Sequence, residues 1–161
     1  MTELPLHDAD DSERLGARLA HGVPWSAPQP LTLFLSGELG SGKTTVARGL
    51  LRELGVAGAV RSPSYTLLEC YEPAGHRVLH LDLYRLGGSA DLAALGLRDE
   101  LDAGVLLLVE WPERAVSGLP APDLLLGLSV AAPGRVARLE GHTAIGADWL
   151  AGIPLGAQLK K

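Results

Sequence analysis

Leu31-Thr32-Leu33-Phe34-Leu35-Ser36-Gly37-Glu38-Leu39-Gly40-Ser41-Gly42-Lys43-Thr44-Thr45-Val46 reads as an apolar strand running into a glycine-rich loop and then a helix. Within it, Gly37 to Thr44 satisfies the phosphate-loop pattern G-x-x-x-x-G-K-[ST]. Leu31 to Leu35 is a short apolar run of buried-strand type. Val46, Leu50, Leu51 and Leu54 fall on one face of a helix that Gly55 stops. Strand, loop and helix come in the order the chemistry requires, because successive backbone N–H groups and a helix N-terminus must converge on phosphate oxygens. The lysine is informative too. Only three lysines occur, Lys43, Lys160 and Lys161, against eleven arginines, so a chain that otherwise uses guanidinium places an ammonium in the loop. A compact charge on a flexible stem reaches between β- and γ-phosphate oxygens, where a planar fork would collide with the loop. The residues predict that Gly37, Glu38, Leu39, Gly40, Ser41, Gly42, Lys43 and Thr44 bind a nucleoside triphosphate.

Composition frames this loop. At 161 residues one domain spanning 1–161 is expected, long enough to bury about two-thirds of its unfolded surface. Hydrophobic residues make up 47% without an uninterrupted apolar run long enough to span a bilayer, which predicts a soluble protein with no membrane role. Met1 to Asp11 is acidic and lacks a basic segment followed by an apolar one, so no secretory signal is expected and a cytoplasmic location is. The single cysteine, Cys70, excludes an internal disulfide and reads as a small core hydrophobe. A net charge of −5 argues against the chain holding a nucleic-acid backbone unaided.

Along the chain, Asp10 and Glu13 have N-cap spacing ahead of a helix carrying Leu15 and Leu19 and ending at His21-Gly22. Pro24, Pro28 and Pro30 mark a loop. Tyr65 to Tyr71 and Val78 to Leu83 read as strands of a hairpin around Pro73-Ala74-Gly75. Short helices are expected over Asp91 to Leu95 and Arg98 to Leu101. Val105 to Val109 reads as a central strand buried on both faces. Leu124 to Val130 and Val136 to Leu139 are further strands around Pro133-Gly134, and Ala147 to Leu150 a helix. The assembly is an α/β fold, a P-loop NTPase-type three-layer domain with a mixed, mostly parallel central sheet.

Phosphoryl chemistry also needs a metal site and something to place the attacking oxygen. Thr44 is the expected hydroxyl ligand for Mg²⁺, and Thr45 is placed to reach a nearer phosphate. Two acids stand at strand ends, Glu110 after Val109 and Asp82 within His80-Leu81-Asp82-Leu83-Tyr84-Arg85. Either can touch the metal or orient water, and position alone does not assign them. Val109 stands where a second Walker-B acid would precede Glu110. No N-K-x-D string specifies guanine, so ATP is the expected nucleotide.

Four blocks now combine: Gly37 to Thr45, Ser62-Pro63-Ser64-Tyr65-Thr66-Leu67, His80 to Leu86, and Glu110-Trp111-Pro112. In order and spacing the set resembles the bacterial TsaE (YjeE) family, over about residues 10 to 140. The resemblance implies an ATPase required for threonylcarbamoyl modification at N6 of the adenosine beside the anticodon, in tRNAs reading codons that begin with A. It implies that TsaB and TsaD are the partners, that TsaD with TsaB performs the transfer, and that tRNA is met only through their complex. Carried over, Lys43 and the loop amides bind phosphates, Thr44 and Glu110 hold Mg²⁺, and Lys43, Asp82 and Glu110 form the catalytic set. Ser62, Ser64, Tyr65 and Thr66 lie in the first switch-like segment, and Asp82 and Arg85 in the second, 80–86. Trp111 completes the Glu-Trp pair 110–111. Ser12 matches a hydroxyl that contacts nucleotide, and Arg135 a late Gly-Arg step. Ser64 stands where the family often has threonine, which keeps the hydroxyl.

Two other classes use the same loop. A small-molecule kinase needs an arginine-bearing lid, and no compact insert carries clustered arginines. A nucleotide-dependent switch without turnover would lose little on Asp82→Ala, unlike a hydrolase.

Overall fold

The computed structural model describes residues 1–115 and 117–156. Its middle is strand β2 (Leu31–Gly37), whose Leu31, Leu33 and Leu35 are buried, with β5 (Val105–Glu110) parallel beside it and buried at every position. A strand covered on both faces has no polar side to alternate with, which is why its sequence is an unbroken apolar run. Beyond β5 comes β4 (Arg77–Asp82), also parallel, and then β3 (Leu68–Tyr71), antiparallel to β4 as the expected hairpin. On the other side, β6 (Leu124–Ala131) is parallel to β2, β7 (Gly134–Gly141) antiparallel to β6, and β1 (Thr2–Leu6) antiparallel to β7. The order is β1-β7-β6-β2-β5-β4-β3, so the parallel part is the four central strands and both flanks are antiparallel.

Helices cover both faces. Leu106 and Leu108 point into one layer with α1 (Ala9–His21), α2 (Lys43–Glu53) and α5 (Ala144–Gly152). Leu107 and Val109 point into the other, against Leu92 of α3 (Ser89–Ala94) and Leu97 of α4 (Leu97–Glu100). Among the described residues, no helix is long and apolar enough to cross a membrane.

Five expectations change, one of them Cys70, which is exposed on the edge strand β3 rather than in the core. The first strand, β1, was not foreseen: its Leu4 and Leu6 alternate with Glu3 and Pro5, and proline is tolerated because the strand is at a sheet edge. The first helix is capped by Asp8, not Asp10; the Asp8 carboxylate accepts from the Asp11 N–H at 2.8 Å and Asp10 lies in the first turn. Tyr65 to Leu67 do not extend β3, because Leu67 takes φ 62 in a turn closed by its N–H to the Pro63 carbonyl. The last helix starts at Ala144 rather than Ala147, with the Thr143 hydroxyl accepting from the Gly146 N–H at 3.0 Å.

α1 braces the phosphate-loop helix through bare backbone. A Cβ on Gly49 would overlap the carbonyl of Glu13, and one on Gly16 the carbonyl of Val46. Neither neighbour is a flexible side-chain end, so the helices must separate to admit a methyl. Gly49→Ala is therefore expected to destabilise the protein by about 3 kcal/mol, lowering the urea midpoint of unfolding. An unchanged midpoint would contradict this packing.

Candidate active site

The site lies at the carboxyl ends of the parallel strands, where open α/β sheets offer a crevice. β2 ends at Gly37 and the chain turns into α2 through Gly42, which sits at φ 105 in the left-handed region that favours glycine. No side chain caps α2, so its first-turn N–H groups are left for another acceptor. Lys43 is folded back: Nζ donates to the Gly37 carbonyl at 2.6 Å and the Glu38 carbonyl at 2.9 Å, with the Ser41 hydroxyl at 3.4 Å. The Trp111 ring covers it, its centroid 3.9 Å from Nζ, and Lys43 is only 5% exposed. Burial lowers the Lys43 pKa below the ordinary 10.5, and the negative charges of Glu110, Glu113, Asp82 and Glu38 oppose that shift.

Glu110 ends β5 and is 1% exposed. Its Oε2 accepts from the Thr44 hydroxyl at 3.0 Å, which joins the first turn of α2 to the strand end. Its Oε1 lies 3.2 Å from Nε2 of buried His80. Trp111 follows at φ 58, a left-handed conformation costly for a bulky residue, held by its N–H to the Leu35 carbonyl at 3.2 Å. Tyr84 packs on Trp111 with ring centroids 4.9 Å apart.

Asp82 ties two segments together. Its carboxylate accepts from the Ser62 hydroxyl in a short hydrogen bond and from the Tyr84 N–H at 3.0 Å, and its own N–H donates to the Leu67 carbonyl at 3.0 Å. The two switch-like segments thus meet at one carboxylate. A carboxylate has about four acceptor positions, so Asp82 keeps capacity for a further donor.

These groups border one cleft of about 440 Å³. It opens between Leu39, Gly40, Gly42, Lys43, Thr44 and Thr45 on the loop side and Ser62, Ser64, Asp82, Arg85, Glu110 and Trp111 opposite. Arg135 borders it too, with Nη2 donating to the Gly40 carbonyl at 3.2 Å and Nε buried without a partner. Five predicted side chains do not line the cleft: Ser41 is fully buried beside Lys43, and Ser12, Glu38, Tyr65 and Thr66 lie elsewhere. Ser12 is buried behind the loop, its hydroxyl donating to the Asp8 carbonyl at 3.3 Å. Glu38 turns outward to the Val130 N–H at 3.4 Å. Tyr65 is 85% exposed, with the Arg85 guanidinium 4.7 Å over its ring. Thr66 joins it in a neighbouring depression. Sequence reasoning missed Tyr84 and His80. For His80 a signal existed, since it stands two residues before Asp82 in a strand, and alternation places both on one face.

The oxygen donors suit a hard divalent cation. Thr44 and Glu110 supply a hydroxyl and a carboxylate at one point of the cleft, and among the described residues no cluster of three His, Cys, Asp or Glu forms a fuller cage. Mg²⁺ commonly takes one or two protein oxygens and completes its shell with phosphates and water.

A family model described as threonylcarbamoyl adenosine biosynthesis protein TsaE matches residues 6–137. The chain is 39% identical over 116 residues to the tRNA threonylcarbamoyladenosine biosynthesis protein TsaE of Haemophilus influenzae, covering 72% of this chain and 73% of that one. To the protein of the same name from Streptomyces coelicolor it is 40% identical over 115 residues, covering 70% and 72%. The crystal structure of Bacillus subtilis YdiB superposes with a TM-score of 0.71 at 21% identity, covering 94% of this chain and 93% of that one. At that identity the likeness concerns the fold.

Proposed function

The chain belongs to the TsaE family, and on that premise we propose that it is a Mg²⁺-dependent, ATP-hydrolysing accessory subunit in threonylcarbamoyladenosine synthesis on tRNA. In this reading it acts in the cytoplasm on a complex of TsaB and TsaD that modifies N6 of the adenosine beside the anticodon in tRNAs reading A-starting codons. The net charge of −5 supports a protein-binding accessory over a direct reader of tRNA.

The observation that carries the ATPase reading is the 3.0 Å hydrogen bond from Thr44 to Glu110 beside Lys43. It brings a phosphate-loop hydroxyl, a strand-end carboxylate and an ammonium to one cleft. Lys43 exchanges its loop carbonyls for phosphate oxygens, and the uncapped first turn of α2 donates to the same phosphates. The unpartnered Nε of Arg135 is a further donor at the cleft's edge. Thr44 and Glu110 hold Mg²⁺, which when bound neutralises developing charge on the phosphates. Asp82 accepts from the attacking water and orients it, while Ser62 and Tyr84 keep the carboxylate in place.

The fate of the terminal phosphate tests this. With γ-labelled ATP the label is expected in inorganic phosphate; label on a small-molecule or protein acceptor would contradict hydrolysis and support a kinase.

The lowered Lys43 pKa gives a pH dependence with a definite sign. Burial makes Lys43 lose its proton below the ordinary 10.5, and triphosphate oxygens beside it draw the pKa back up. Binding therefore takes up protons in the alkaline range, and ATP affinity falls as pH rises toward 10.5. Calorimetric titrations in buffers of different ionisation enthalpy measure that uptake; none, with flat affinity, would remove Lys43 from the phosphates.

A further inference from the structure

His80 lies on β4 in the layer beneath the cleft, fully buried, and the reading above gives it no task. In the parallel pairing of β4 and β5, Asp82 stands opposite Glu110 and His80 opposite Leu108, so the imidazole shares a face with both acids. The fully buried Leu106 and Leu108 of β5 belong to the same layer. Leaving one polar group there unsatisfied costs about 1–3 kcal/mol, which an aliphatic side chain would avoid. Among the described residues its side chain makes one polar contact, from Nε2 to Oε1 of Glu110 at 3.2 Å, and Nδ1 has no partner.

The hydrogen-bond inventory fixes the direction of that contact. A carboxylate only accepts, so the proton between the two groups belongs to Nε2. A proton on Nδ1 would be a buried donor with no acceptor. Glu110 thus divides its oxygens, Oε1 to the ring and Oε2 to Thr44.

We infer that His80 is a positioning residue: its Nε2–H pins Oε1 of Glu110, so that Oε2 is presented beside Thr44 to a divalent cation. The inference rests on the reading of Thr44 and Glu110 as the Mg²⁺ donors. Without the ring, Oε1 loses its donor and only the Thr44 hydroxyl, itself one of the metal donors, orients the carboxylate. Removing groups that orient a ligand in this way costs about 10–100-fold in metal affinity.

The test is the ratio of ATP affinities with Mg²⁺ and with EDTA, measured by calorimetry on the full chain. His80→Met, which keeps bulk without the donor, is expected to lower that ratio about tenfold and leave the EDTA affinity unchanged. His80→Gln, whose amide N–H can reach Glu110, restores most of it. A merely structural role would lower both affinities together, without rescue, and would overturn the inference. So would an unchanged ratio in His80→Met when the wild-type ratio is large. A wild-type ratio of one overturns the metal reading itself and this inference with it. If His80→Met does not fold, ¹⁵N spectra of the wild-type histidines decide: the His80 proton is expected on Nε2, with a resonance that moves in Glu110→Gln without nucleotide or metal. A proton on Nδ1, or a resonance indifferent to Glu110→Gln, overturns the inference.

Discussion

Lys43→Ala is expected to weaken ATP binding by about a hundredfold or more, as two charge-assisted hydrogen bonds worth about 1.5–3 kcal/mol each are lost. The ammonium is already desolvated, held by the Gly37 and Glu38 carbonyls and covered by Trp111, so phosphate oxygens replace loop acceptors rather than bulk water. Arginine is not a substitute, because its planar fork cannot enter the turn that a compact ammonium fills. Titration calorimetry with Mg·ATP gives the loss, with thermal unfolding as the check on folding. Unchanged affinity in a folded variant would end the phosphate-loop reading.

The second large effect separates the two acids. Asp82→Ala is expected to lower hydrolysis about 10²–10⁴-fold with ATP affinity retained, the range for a side chain positioned to take or direct a reacting proton. Glu110→Ala is expected to lose Mg²⁺-dependent binding while metal-free binding survives. The contacts give the reason for the split: Glu110 touches the Thr44 hydroxyl, whereas Asp82 gathers Ser62, Leu67 and Tyr84. Steady-state phosphate release and affinity, each with Mg²⁺ and with EDTA, measure both variants. Equal losses with and without metal in Glu110→Ala would move the metal role to Asp82.

The central strands and the loop were legible because each is local. Leu33 to Leu35 and Val105 to Val109 are unbroken apolar runs since both faces are covered, and Gly40 and Gly42 stand where φ is positive. β1 was not legible: five residues with a proline carry little periodic signal, and what makes them a strand is β7, more than a hundred residues away. The turn at Leu67 was hidden because the β-rich composition of Tyr65 to Tyr71 favours a strand throughout, whereas the left-handed conformation of Leu67 and its N–H bond to the Pro63 carbonyl end the strand. In the site, Thr44, Asp82 and Glu110 were found from position, but their pairings were not, because side-chain partners across strands depend on register. The alternation of β4 put His80 on the face of Asp82, but its contact with Glu110, like the packing of Tyr84 on Trp111, became visible only in the structure.

The most direct measurement is phosphate release from Mg·ATP by the purified chain, alone and with the TsaB and TsaD subunits added, with Lys43→Ala as the blank. A rise on adding the partners that vanishes in Lys43→Ala is the predicted result; a rate indifferent to the partners, or equal in Lys43→Ala, would contradict the account.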